Sequence, residues 1–205
     1  MASTAAPYGF RPVNELNGLP YAGATRQFLI NPAGYNTNVF YGNIVKLVSG
    51  YLQNVTTVGG AGGDAFGAGV VGIFVGCSYV NAQGQVIYAQ YYPANTVAPA
   101  GTSITAYVVD DDRAVFQVQA DGAITQAELG QNVVLANAQT TSTGSTLNGN
   151  SNIAVSATAA STADYPFRIV GFAQGPLSAV GDAKTDILVK FNQGVHSYTN
   201  ATGIA

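Results

Sequence analysis

Turn-forming residues interrupt this chain so often that no apolar run has room to become a long helix. Its 25 glycines and 8 prolines fall between short runs of Val, Ile, Phe and Tyr, the pattern of strands bounded by turns. The run 40–48 alternates well enough for a half-buried strand, and Ser49-Gly50 turns it into 51–55. Residues 70–80 and 85–92 form the strongest pair, joined by Asn81-Ala-Gln-Gly84, and 104–109 with 114–119 form a second hairpin around Asp110-Asp-Asp-Arg113. Further strands are expected at 132–135, 153–158, 167–173 and 186–192. Roughly ten strands at such short intervals predict an all-β fold, a β-barrel or β-sandwich of short antiparallel strands. One short helix is expected, where Thr125-Gln-Ala-Glu128 fits a capping box and Gly130 is placed to end it.

The first forty residues read differently. Pro7, Pro12, Pro20 and Pro32 alternate with Tyr8, Phe10, Tyr21, Phe28, Tyr35 and Phe40. Prolines at this spacing deny a helix and bias their neighbours toward extended backbone. A solvated disordered tail would be rich in charge and poor in aromatics, and this segment is the reverse. The reading is therefore an extended N-terminal arm over 1–40, lying against its own domain or a neighbour's, and a β-domain over 41–205. Removing residues 1–30 would then leave that domain folded. Residues 137–151 are low-complexity Ser/Thr/Gly/Asn and predict a flexible loop.

Charge narrows the function. Only 8% of residues are Asp, Glu, Lys or Arg, against roughly 25% in ordinary soluble domains. The stretches 65–109 and 129–163 contain none at all. Solubility must come from 16 Asn, 12 Gln, 11 Ser and 18 Thr side chains. These hydrogen-bond water in a free subunit and re-pair across an interface at less desolvation cost than ions. Such a surface suits a protein that is later packed against neighbours. With seven scattered basic residues and a net charge of −3, there is no stripe for nucleic-acid phosphates. No run is long and apolar enough to span a bilayer as a helix, and the N-terminal residues lack the basic and apolar regions of a signal peptide.

The groups that carry chemistry are sparse. Cys77 is alone in an apolar run and reads as a small core hydrophobe. Gly67-Ala-Gly-Val-Val-Gly72 matches the dinucleotide-binding expression, but a β-like run follows it where the mechanism needs a helix. Asp110, Asp111 and Asp112 could offer oxygens to a cation, yet adjacent side chains at a hairpin tip splay apart. His196 is the sole histidine, so any histidine relay rests on it, and a satisfied or exposed structural role is expected. Asn54-Val-Thr56 and Asn200-Ala-Thr202 match the glycosylation sequon by chance. The reading is a non-enzyme with no cofactor and no metal site.

Several phrases carry a resemblance. Ala6-Pro-Tyr-Gly-Phe-Arg-Pro-Val13 followed by Tyr21-Ala-Gly-Ala-Thr-Arg-Gln27 resembles the start of virion structural proteins of tailed bacteriophages. So do Tyr41-Gly-Asn-Ile-Val-Lys-Leu-Val48, Val71-Gly-Ile-Phe-Val-Gly-Cys-Ser-Tyr79 and Asp186-Ile-Leu-Val-Lys-Phe-Asn192. The succession of small turn, strand, gap and Val-Gly-Ile-Phe also looks like the β-barrel decoration (cement) proteins of phage capsids. Residues 137–163 match none of that pattern. The resemblance implies a capsid decoration protein on the virion exterior, made in the host bacterial cytoplasm, that bridges major capsid subunits. It implies a homo-oligomer, trimer before dimer, with neither nucleic acid nor membrane as partner. A tail or head–tail joining component is the alternative, and a carbohydrate-binding β module using Tyr and Asn at loop tips is a third. Because aromatic residues and Arg dominate interface hot spots, the expected anchors are Tyr8, Phe10, Arg11, Tyr21, Arg26 and Phe28.

Overall fold

The computed structural model describes residues 4–60, 65–173, 175 and 178–203. The strands are β1 (Arg11–Glu15), β2 (Arg26–Ile30), β3 (Ile44–Val48), β4 (Tyr51–Asn54), β5 (Val70–Val80), β6 (Val86–Ala89), β7 (Ile104–Val109), β8 (Ala114–Gln119), β9 (Asn132–Val133), β10 (Phe167–Phe172) and β11 (Asp186–Phe191). They form two antiparallel sheets, one ordered β1-β8-β11-β10-β9 and the other β2-β7-β5-β3-β4 with β6 also on β5. The all-β class read from the sequence is the fold. The helical element among the described residues is a 3₁₀ turn at Gln126–Glu128, held by the capping box: Thr125 N–H donates to the Glu128 carboxylate at 2.7 Å and Ala127 N–H to Thr125 Oγ1 at 3.3 Å.

The organising element is β5. Its edge residues 70–73 pair with β3 and residues 77–80 with β6, while β7 runs along the other edge. Successive side chains of a strand point to opposite faces, and here both faces are covered. Ile44, Val70, Ile73 and Val109 point into one core together with Phe116, Phe167, Val189 and Phe191 of the first sheet. Val45, Val71, Phe74, Cys77 and Val108 point into a second core, closed by Val39 and Tyr92 from the flanking loops. The outermost strands β2 and β4 also come into contact, so the second sheet curls around that second core. Double burial explains why β5 reads as one continuous apolar run instead of an alternation.

The N-terminal segment is not an arm laid over a separate domain. β1 pairs with β8 and β2 with β7, so each sheet takes an edge strand from it. Phe10 is fully buried, its ring stacked 4.7 Å from Phe167. Residues 1–30 therefore cannot be removed without opening both cores. Proline spacing hid the two strands, since Pro12 sits inside β1 where an edge position leaves its missing N–H without consequence.

Two further expectations need correction. Segment 137–151 is not a free flexible loop. The Gln139 side chain is 2% exposed; it accepts from Ile44 N–H at 2.7 Å and donates to the carbonyls of Ile44 and Val55 at 2.8 Å each. Tyr41 N–H donates to the Gly149 carbonyl and Ser151 N–H to the Tyr41 carbonyl, both at 2.9 Å. Residues 153–158 form only single bridges, Val155 meeting Ala120 on one side and Leu135 on the other. Ile153 and Val155 still point into the first core, which is why the segment read as a strand.

Gly72 is required at its position. Its φ is +138°, and a Cβ placed there would lie 1.9 Å from the Val109 carbonyl oxygen, a backbone atom of the adjacent strand. Gly67 has φ of +71° but open space around it. Gly72→Ala is expected to destabilise by several kcal/mol, about 3 or more, through overlap and strain, and Gly67→Ala by only about 1 kcal/mol. Thermal or urea unfolding of the two variants checks this; equal losses would place the cause in φ alone.

Candidate interaction surface

The six residues expected as anchors do not share a surface. Phe10 belongs to the first core, as described. Tyr21 is half-buried against that core and its hydroxyl donates to the Ala24 carbonyl; burial, with the Asp111 and Asp110 charges, pushes its phenol up to about 12. Phe28 is half-buried against the second core. Tyr8 is half-buried with Arg11 lying 4.4 Å from its ring centroid. Its hydroxyl is buried without a hydrogen bond, as is Asp186 Oδ1. Burial first, and the Asp186 charge second, raise the Tyr8 phenol, and burial raises the Asp186 carboxyl. Only Arg11 and Arg26 are exposed.

Arg26 is already engaged. Its Nε lies 2.9 Å from Asp110 Oδ2, its guanidinium sits 5.2 Å from the Tyr198 ring centroid, and Nη1 donates to the Tyr198 hydroxyl. That hydroxyl donates to Asp110 Oδ2 at 2.8 Å. The Tyr198 ring leans on His196 with centroids 4.9 Å apart. His196 is fully buried. Tyr198 N–H donates to its Nδ1 at 3.3 Å, which leaves Nε2 protonated and donating to the Val71 carbonyl at 3.0 Å. Ser197 N–H reaches the Val70 carbonyl at 2.7 Å. One chain of contacts thus pins the C-terminal segment to β5, to the β7–β8 turn and to β2. The motif Gly194-Val-His-Ser-Tyr198 carries no sign of this, because its partners are backbone carbonyls far away in sequence.

The aspartate cluster does splay. Asp110 faces Arg26 and Tyr198, Asp111 Oδ1 accepts from Arg113 N–H at 2.8 Å, and Asp112 borders a cleft with Lys190 and His196. Among the described residues no three His, Cys, Asp or Glu side chains group as metal ligands. The Gly67–Gly72 stretch enters β5 and no helix follows it. Cys77 is buried, its thiol pushed up to about 12 by desolvation, so little thiolate forms near neutrality. Asn54 is 1% exposed and bonded to Asn43 and Asn38, which removes the first sequon as a glycan acceptor. No helix among the described residues is long and apolar enough to cross a membrane.

The exposed apolar side chains lie elsewhere. Val86 and Tyr88 on β6 are 60% and 77% exposed. β6 pairs with β5 alone, so its outer edge presents unpaired backbone donors and acceptors. Leu16 and Leu19 project from the turn after β1, Leu29 from β2, and Leu147 from the 144–151 turn. Sequence could not separate Val86 and Tyr88 from Ile87 and Ala89, because all four are apolar and no alternation marks the solvent face. No family model, curated protein or solved structure matches this chain.

His196 makes stability pH-dependent. Burial outweighs the Val71 carbonyl and the Asp112, Asp110 and Asp111 charges, and holds its pKa below the usual 6.5. As pH falls through about 6.5 the unfolded chain takes up a proton that the folded ring refuses, so stability is full above that pH and lost below it. The urea midpoint is expected to drop on mild acidification, and His196→Gln to lower the neutral midpoint while flattening that acid-side slope. An unchanged slope in the variant would assign the loss to carboxylates instead.

Proposed function

We propose that this chain is a structural subunit of a tailed-phage virion: a decoration protein that binds the outer surface of the head and bridges neighbouring major capsid subunits. The observation that carries the reading is the β6 edge. An exposed edge strand bearing Val86 and Tyr88 lies within a 45-residue stretch, 65–109, that has no charged side chain. Natural edge strands are commonly protected by charge, so an uncharged one fits a strand that is covered on assembly. Backbone pairing along such an edge supplies affinity, and the alternate side chains supply specificity. Two of the phrases that resemble tailed-phage virion proteins, 41–48 and 71–79, include β3 and most of β5, the scaffold on which β6 is mounted.

In this reading the protein works as a homo-oligomer, trimer before dimer. Closed symmetry lets several modest contacts act together through effective concentration. It binds neither nucleic acid nor membrane, uses no cofactor and performs no reaction. Its place is the capsid exterior, reached from the host bacterial cytoplasm.

The test is addition of the purified protein to heads lacking it. Saturable, icosahedrally distributed occupancy is expected. Val86→Lys and Tyr88→Lys, both at exposed positions, should lower head affinity at least about tenfold, equivalent to about 1.4 kcal/mol, without changing the thermal midpoint. Decoration by both variants at the parent level would reject the β6 edge as the contact. Closed rings at the head–tail vertex would replace decoration with a joining role.

A further inference from the structure

The turn-rich segment 144–152 and the N-terminal residues 7–8 enclose a cleft of about 290 Å³. Gly9 allows the two segments to meet. Its N–H donates to the Ile153 carbonyl at 3.2 Å, and a Cβ at that position would stand 2.7 Å from Ser151 Cβ. The turn is built from its own polar groups. Ser145 N–H donates to the Asn150 carbonyl at 2.9 Å, Gly149 N–H to the Ser145 carbonyl at 2.7 Å, and Asn150 N–H to Asn148 Oδ1 at 3.0 Å. Gln90 clamps it from outside, donating to Asn150 Oδ1 at 2.6 Å.

What remains unused is informative. The Nδ2 groups of Asn148, Asn150 and Asn152 make no hydrogen bond among the described residues, and neither does the Asn152 side-chain oxygen. Ser145 and Ser151 accept from Leu147 and Ile153 N–H, which leaves their hydroxyl protons to donate. Tyr8 completes the wall, with the Arg11 guanidinium 4.4 Å from its ring centroid. No lining residue is charged.

Three amides, two hydroxyls and an aromatic ring on a pre-formed, uncharged wall match the surface of a pyranose ring. Vicinal sugar hydroxyls take hydrogen bonds from amide N–H groups and return one to an amide oxygen. A cation would find a single free amide oxygen here, far short of the six to eight ligands that calcium takes. The geometry points to a binding site for a neutral carbohydrate, formed by Tyr8, Ser145, Asn148, Asn150, Ser151 and Asn152. Its lining includes none of the β6 residues proposed for capsid attachment.

The full chain is titrated by protein-observed NMR with the methyl glycosides of glucose, galactose, mannose and N-acetylglucosamine, and applied to an array of longer neutral glycans. Saturable binding is expected in at least one arm; a single glycoside that fills the cleft should show a Kd of about 1 mM, ordinary for so few contacts. The variant Asn152→Ala removes an exposed side chain that bonds no other protein group and should bind roughly tenfold more weakly at an unchanged thermal midpoint. Gln193→Ala, in the separate cleft that Asp112, Lys190 and His196 border, should bind as the parent does. Absence of saturable binding in both arms, parent-like binding by Asn152→Ala, or response to inorganic sulfate alone would each overturn the assignment.

Discussion

The fold turns on the fact that β5 is apolar on both sides. A half-buried strand needs one partner layer; Val70–Val80 needs two. The first is the sheet carrying Phe116, Phe167 and Phe191, and the second is the curl of its own sheet together with the loops that bring Val39 and Tyr92. Most of the other features follow from this demand. The N-terminal residues supply an edge strand to each layer, and Phe10 fills the space between the layers. His196 satisfies a carbonyl of β5 that the ladders leave open. Removing any one of these covers exposes apolar surface on a strand that has no polar face to offer water.

Amides do more in this chain than solvate it. Gln139 replaces a strand by bonding three backbone groups at once, Asn54 ties residue 43 to residue 38, and Asn132 spans from the Thr162 carbonyl to Arg168. Each acts as a movable peptide group, able to donate and accept where the backbone of the neighbour points the wrong way. Neutral side chains suit this work because burying them with partners costs far less than burying ions. Low charge is thus a property of the interior design as well as of the surface. The same abundance of amides leaves exposed ones at the 144–152 cleft whose N–H groups bond no other protein group.

Particular residues show what could be read in advance. β5, β7 and β8 coincide with the sequence reading at both ends, since Gly69, Asn81, Ser103 and the aspartate turn bound them by local chemistry. β1 and β2 were hidden by Pro12 and Pro20 and by the absence of alternation in Arg26–Ile30. Segment 137–151 reads as free because Ser, Thr, Gly and Asn solvate well; Gln139 and Asn150 hold it through partners 95 and 60 residues away in sequence, respectively. Phe10, Tyr21 and Phe28 are residue types that make good interfaces, and those same types make good cores. Only position in the fold distinguishes the two uses.

By itself the amino-acid order determined the class: frequent turn residues and short β-branched runs allow strands and forbid long helices, a matter of backbone sterics within a few residues. It also determined the scarcity of ionisable groups, which limits the chemistry open to the chain. Tertiary structure alone decided which aromatic side chains face inward, that β6 is an edge, that His196 is buried and neutral, and that Tyr8 meets Asn148, Asn150 and Asn152 across one cleft. Those outcomes depend on contacts between segments distant in sequence, where packing and hydrogen-bond satisfaction select one arrangement from many that local preference leaves equal.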